Sequence, residues 1–280
     1  MVENRWKRSS RLLVTHVLLV LVCLFFLLPL FWVLRTSLVT KAVAYQIPPQ
    51  WDAPMTFKNY VEIFINNSFG KYFMNSLIVS LTSTFLSVIL GAPAAYYLAR
   101  KRGGTWERIG ILASQMLPAV VLVIPIFNIL VKAGLKNTHI GLILTYLSFA
   151  LPYVIWMLIG FVESIPSELD EAAEIDGCTR VQAFAHIIFP IVSPGIVASA
   201  VLSFLMSWNE FLFALVLTGE KTRTLPVAVA AMETQQGVMI AELCASVVVV
   251  IIPIVILSQF VKKYLVRGLS FGSIKSRKEQ

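Results

Sequence analysis

Residues 167–190 read SELDEAAEIDGCTRVQAFAHIIFP, and they do not belong with their surroundings. The first ten of them carry five carboxylates, Glu168, Asp170, Glu171, Glu174 and Asp176, in a chain of formal net charge +8. Their spacing predicts two capped helices. Ser167, after Pro166, is placed to cap the backbone N–H of Asp170, a capping box with Asp in place of the usual Glu or Gln. Glu168, Asp170 and Glu171 then occupy the first turn, where the helix dipole favours negative charge. Gly177 ends that helix, because glycine accepts the left-handed geometry found just past a helix terminus. Thr179 and Gln182 form a second capping pair for a helix that runs through Ile187 to Phe189 and Pro190. Ala172 and Ala173 keep one side of the first helix thin.

The chain around this stretch is 58% hydrophobic and only 14% charged, with mean hydropathy +0.80. A soluble domain would be about a quarter charged, so this composition is that of an integral membrane protein. Apolar runs place six spanning helices at about 12–34, 72–99, 109–131, 137–162, 190–215 and 243–261. Each is long enough to cross about 30 Å of hydrocarbon at roughly 1.5 Å per residue. Transmembrane strands are excluded because the runs are long and do not alternate. The expected class is therefore all-α, a single membrane domain over 1–280, with a polar loop at 163–190 and a tail at 262–280. The opening MVENRWKRSSR resembles a signal-peptide n-region, but the apolar run behind it is too long and no small-x-small site follows. Val22 before Cys23 also lacks the small residue of a lipoprotein site, so an uncleaved first span is expected.

Orientation follows from the basic residues. With the N-terminus inside, the inner set includes Arg5, Arg8, Arg100, Lys101, Arg108 and Arg180 and totals fifteen, against eight outside such as Lys41, Lys71, Lys132 and Arg223. Both termini are expected in the cytoplasm. The positive balance reports topology and contact with anionic lipid; no nucleic-acid partner is needed to explain it. Pro48, Pro49 and Pro54 break helix in the outer loop before a segment with Phe57, Tyr60, Val61 and Phe64 on one face, expected to lie along the membrane surface. Gly103 and Gly104 give freedom to the basic turn after the second span. Pro118 and Pro125 are expected to kink the third span, Pro152 the fourth and Pro253 the sixth. Three cysteines imply no disulfide framework, and His16, His139 and His186 lack metal-ligand spacing.

The pattern Glu171-Ala172-Ala173, Gly177, Ile187 and Phe189-Pro190 resembles the EAA loop of the membrane subunits of binding-protein-dependent ABC importers, with Phe189 where the family has leucine. Ser207-Trp208-Asn209-Glu210-Phe211-Leu212 and the ending Tyr264 to Lys275 look like the carbohydrate branch, specifically the smaller, six-span subunit of the maltose-type pair. The resemblance implies the type I ABC importer permease fold, in a bacterial or archaeal cytoplasmic membrane. It also implies that Ser167, Asp170, Glu171, Ala172, Ala173, Gly177, Ile187 and Pro190 belong to a helix-turn-helix docking in a cleft of a separate ATP-binding subunit. Implied partners are an ATPase dimer, a second homologous permease and an extracytoplasmic solute-binding protein.

The chain contains no G-x-x-x-x-G-K-[ST] stretch, so ATP and Mg2+ are expected in the partner and no cofactor in this chain. No catalytic constellation such as HExxH appears, so an enzyme is not expected. Candidate pathway residues are Asn75, Gln115, Asn209 and Glu210, since polar groups within a span either face a polar route or bond between helices. A self-contained secondary transporter of a small polar solute is the competing class, but it would carry ion-coupling carboxylates at mid-span. A glycerol-phosphate compound is the competing substrate.

Overall fold

The computed structural model describes residues 5–66, 68–101, 104–234 and 237–275. Gly103 and Arg102 of the basic turn, and Arg277 and Lys278 of the inner basic set, lie outside the described residues. Five helical stretches are long and apolar enough to cross a membrane: 12–37, 69–100, 139–163, 180–208 and 240–259. A sixth is reached only if one bent helix pair is taken as a single span. The run expected as one span at 109–131 is two helices, α5 (Thr105–Met116) and α6 (Ala119–Lys132), which differ in direction by 95°. Leu117 between them is extended, with φ −70° and ψ 124°. The cause is Pro118, which has no N–H to donate and pushes the preceding residue out of helical geometry. Pro125, Pro152 and Pro253 by contrast stay within their helices.

By contacts between residues the chain divides into two compact units. The larger, residues 69–230 and 252–280, is organised on α4 (Phe69–Arg100) and α7 (His139–Glu163), which pack along each other, with α10 (Phe189–Trp208) against both. Small residues let these backbones approach, as membrane helix packing requires. A Cβ on Gly91 would sit 2.9 Å from Val154 Cγ1, and one on Gly195 would meet the Phe161 ring at 2.4 Å. Ser83 Oγ donates to Ser207 Oγ at 3.3 Å between α4 and α10.

One apolar core, including Ala95, Leu98, Val154, Leu158, Val162 and Ile188, lies at the end of this unit that carries the 163–190 loop. A second, including Val79, Leu130, Leu142, Tyr146, Phe213 and Leu217, lies toward the opposite end. The fifth span also differs from its expected limits of 190–215. It runs continuously over 180–208 and stops at Trp208. α11 (Leu212–Leu217) and α12 (Leu225–Ala230) follow.

The smaller unit comprises residues 1–68 and 231–251. It holds α1 (Arg5–Ser37), α2 (Lys41–Ala44), α3 (Lys58–Asn66), a two-residue hairpin of β1 (Glu233–Thr234) and β2 (Gly237–Val238), and the start of α13 (Ile240–Lys275). The hairpin holds the only strands among the described residues, so the class remains all-α. Phe57, Val61 and Phe64 form an exposed face of the outer-loop segment, while Asn59 and Ile63 turn inward. Asn59 Nδ2 donates to the carbonyls of Ser37 and Val39, at 2.8 and 2.7 Å, satisfying backbone that α1 leaves open at its end. Lys41 Nζ reaches Glu62 at 3.0 Å and the fully buried Glu242 at 2.5 Å. The Glu242 hydrogen bond first, then that of Glu62, raises the lysine's pKa.

Candidate functional site: the 163–190 loop and the end of α4

α8 (Glu168–Ile175) and α9 (Arg180–Ala183) form the expected pair of short helices. Gly177 between them has φ +86°, the left-handed conformation that glycine adopts without strain. The second cap forms as expected. Gln182 Oε1 accepts from the Thr179 N–H at 2.8 Å, and Thr179 Oγ1 accepts from the Gln182 N–H at 3.4 Å. The helix then widens into a π turn over Phe184–Ile188 before α10. Pro190 explains the widening, since it has no N–H to return to the preceding turn.

The first cap differs from expectation. Ser167 has helical dihedrals, φ −68° and ψ −19°, and its side chain caps nothing. A capping hydroxyl needs extended backbone to turn back over the helix start. The Asp170 N–H bonds instead to the Ser167 carbonyl at 3.0 Å. The Asp170 carboxylate is turned away from the loop surface. Its Oδ1 accepts from Tyr96 Oη at 2.6 Å and its Oδ2 from Arg100 Nε at 2.7 Å. Arg100 Nη1 also donates to the Ile165 carbonyl at 3.1 Å. The Tyr96 ring packs 5.1 Å from that of Phe184, centroid to centroid. Close by, Arg108 links the end of α7 to α4, with Nη1 on Glu163 at 2.5 Å and Nη2 on the Leu98 carbonyl at 2.7 Å.

The remaining loop residues divide into inward and outward sets. Ala173 is buried, and Ile187 packs against the apolar core at this end. Glu171, Ala172 and Pro190 are exposed. The side chains of Glu168, Glu171 and Asp176 have no hydrogen-bond or ion-pair partner among the described residues, whereas Glu174 pairs with Arg180 at 3.2 Å. Leu169, Ile175 and Val181 are exposed on the same loop. It therefore shows solvent a mixed surface of acids and apolar side chains.

The four candidate pathway residues are each held by hydrogen bonds to the protein's own backbone. Asn75 is buried; its Nδ2 donates to the carbonyls of Lys221 and Arg223, at 3.1 and 2.9 Å, and its Oδ1 accepts from His139 Nε2 at 2.8 Å. Gln115 Nε2 donates to the Phe149 carbonyl at 3.1 Å, beside the α5–α6 break. Asn209 is exposed and returns to the Leu205 carbonyl at 2.8 Å. Glu210 accepts from the N–H groups of Phe213 and Ala214, at 2.8 and 3.0 Å, and so caps α11. Sequence reasoning missed Tyr96 and Arg100. Their signal was an aromatic hydroxyl and a cation four residues apart, hence on one helix face, at the end of a span leading toward an acidic loop.

Comparison with known proteins identifies the family. The profile of the family described as "Binding-protein-dependent transport system inner membrane component" matches residues 87–271, which contain the whole loop. The chain is 38% identical over 257 residues to the trehalose transport system permease protein of Mycobacterium tuberculosis, covering 89% of this chain and 92% of that protein. It is 36% identical over 254 residues to the sulfoquinovosyl glycerol transport system permease protein of Agrobacterium fabrum, covering 89% of each. It is also 32% identical over 270 residues to the trehalose/maltose transport system permease protein of Thermococcus litoralis, covering 94% of this chain and 96% of that one. Among solved structures, a bacterial ABC transporter involved in import of the acidic polysaccharide alginate superposes with TM-score 0.79 at 24% identity, over 94% of this chain and 99% of that chain. The fold is that of the type I ABC importer permeases. A profile match over well more than half the chain, with near full-length relatives, makes this protein a member of the binding-protein-dependent transport system inner membrane component family.

Proposed function

We propose that this chain is the membrane-spanning permease subunit of an ATP-driven sugar importer, forming half of the translocation pathway by alternating access. The observation that carries the coupling role is the 163–190 loop. It is fastened to α4 through Asp170, while Glu168, Glu171 and Asp176 stay unpaired beside exposed Leu169, Ile175 and Val181. Acids and apolar side chains on one short helical surface suit a groove on a soluble partner that supplies basic groups and apolar walls. That partner is an ATP-binding subunit dimer, which holds ATP and Mg2+, since this chain has no phosphate-cradling loop of its own. The excess of Lys and Arg on this loop's side supports a cytoplasmic position for it and for both termini. A second, homologous permease completes the pathway, and an extracytoplasmic solute-binding protein delivers the solute. The sugar class rests on the relatives, whose named cargoes are trehalose, maltose and a sulfoquinovosyl glycerol.

Reconstitution in proteoliposomes tests this reading, with the binding protein's ligand first identified by thermal shift against a panel of disaccharides and glycerol-phosphate compounds. Uptake should require ATP, the ATP-binding subunit and the binding protein together. Uptake driven by an ion gradient without the ATP-binding subunit would favour the secondary-transporter class. Stabilisation by glycerol-phosphate alone would move the substrate class.

A further inference from the structure

We infer that Tyr96, Arg100 and Asp170 form the joint through which movement of α8 is delivered to α4. The inference rests on the reading of the 163–190 loop as the coupling element and assigns its inner attachment. Adjacent acids on α8 then have opposite tasks. Glu171 faces outward to the ATP-binding subunit, and Asp170, about 100° round the helix, faces inward to the membrane domain.

The geometry is that of a fixed joint rather than a pivot. One hydrogen bond would leave α8 free to swing about it, but Asp170 is held through both carboxylate oxygens by donors one helical turn apart on α4. The Arg100 contact is charge-assisted, and such bonds are shorter and stronger than neutral ones. The pair is sheltered, with side-chain exposures of 19% for Arg100 and 14% for Asp170, so solvent and salt screen it less than a surface ion pair. The last turns of α4 also hold the loop at two further points. Arg100 Nη1 bonds the Ile165 carbonyl where the loop begins, and the Tyr96 ring lies on Phe184 just beyond α9.

Two side chains of α4 thus reach the start of the loop, α8 and the π turn after α9, beside the apolar contacts of Ile165, Ala173 and Ile187. α4 cannot absorb a push locally, because it is packed along α7 at van der Waals limit near Gly91 and against α10 through Ser83. A displacement of α8 is passed on as movement of a packed helix group, as expected of close-packed elements with discrete arrangements.

The test uses the complete importer in proteoliposomes, with the three native cysteines replaced and spin labels at Glu174 on α8 and Phe85 on α4, both exposed and neither on the surface assigned to the ATP-binding subunit. In the otherwise unaltered protein the label-to-label distribution should be narrow and the same in nucleotide-free and ATP-trapped states, since the two elements move as one. In Tyr96→Phe and Asp170→Asn it should broaden or shift by about 2 Å on trapping, the scale of interface helix shifts. The same variants should retain the ATP-binding subunit fully, while uptake of radiolabelled trehalose per ATP hydrolysed falls about fivefold, within the range for residues on a coupling route.

The charge-reversed pair Arg100→Asp with Asp170→Arg should recover much of the narrow distribution, which a merely misfolded loop would not do. Tyr96→Phe removes a single hydroxyl and carries the test alone if Asp170→Asn fails to assemble. Unchanged distributions in both variants would overturn the joint and leave the coupling role of the loop standing. Failure of the unaltered chain to retain an ATP-binding subunit would overturn the coupling role itself. Absence of trehalose uptake by the unaltered importer would bear on the choice of sugar alone, with the joint still decided by the spin-label distances.

Discussion

The two ends of the larger unit are both rich in polar side chains, and they use them in opposite ways. At the end remote from the 163–190 loop, residues 218–224 are tied down from every side. Asn75 bonds two carbonyls and His139, Ser76 Oγ accepts from the Leu225 N–H at 2.7 Å, and Asn137 Oδ1 accepts from the Gly219 N–H at 2.7 Å and Thr222 Oγ1 at 2.8 Å. At the loop end, Glu168, Glu171 and Asp176 remain exposed, and one acid, Asp170, is spent on attachment. Amides and hydroxyls both donate and accept, so they can complete an irregular backbone turn that has no helix or sheet to satisfy it. Carboxylates only accept, and leaving three of them unpaired on a short surface helix makes sense when the missing donors belong to another molecule. Residue chemistry thus separates polarity that builds the chain from polarity left open at the surface, which the proposed docking assigns to a partner.

The strongest way to break this contrast is Asn75→Leu. The substitution leaves two carbonyls and the His139 ring, all part-buried, without their partner, at about 1 kcal/mol for each group that water does not reach. The purified protein should melt several degrees lower, with the ATP-binding subunit still retained by the folded fraction. If the melting temperature holds while uptake is lost, Asn75 serves the solute pathway and the contrast fails at that end.

Glu171→Lys probes the other end. It adds a cation where the partner is expected to present one, and like charges in a contact oppose binding strongly. Retention of the ATP-binding subunit on the affinity-tagged chain should fall about tenfold or more, since each 1.4 kcal/mol is a factor of ten. Membrane insertion and melting temperature should match the unaltered chain. Retention at the usual level would mean that the exposed acids address lipid or solvent alone.

The same contrast explains what was legible in the sequence. Spans could be read because apolar length is a local property, and Gly177, Thr179 and Gln182 because caps and left-handed turns are decided within a few residues. Ser167 as a cap could not be judged locally, since the competing partners of Asp170 lie about seventy positions earlier, on α4. Asn75 looked like a pathway residue for the same reason, its two carbonyl partners being 146 and 148 positions away. The break at Pro118 was half legible. Proline predicts a lost hydrogen bond, but nothing local distinguishes Pro118, where the chain turns by 95°, from Pro125, where the helix continues.

Gly177→Ala gives the smallest expected effect and sharpens the contrast most cleanly. A Cβ at this position would meet nothing within 4 Å, so no packing is disturbed and the whole penalty comes from the backbone at φ +86°. Left-handed geometry costs a residue with a Cβ about 1–2 kcal/mol, and asparagine is among the few that visit it routinely. Because the loop meets the rest of the unit at one end only, through α4, the start of α10 and the core beneath it, this penalty should loosen the loop without reaching the far end. Hydrogen exchange of amides in 168–183 should speed up several-fold, Gly177→Asn should recover part of the loss, and amides of 218–225 should exchange as before. Faster exchange at both ends would show that the two regions share one cooperative unit, and the division of labour between them would then lie in side-chain chemistry alone and not in stability.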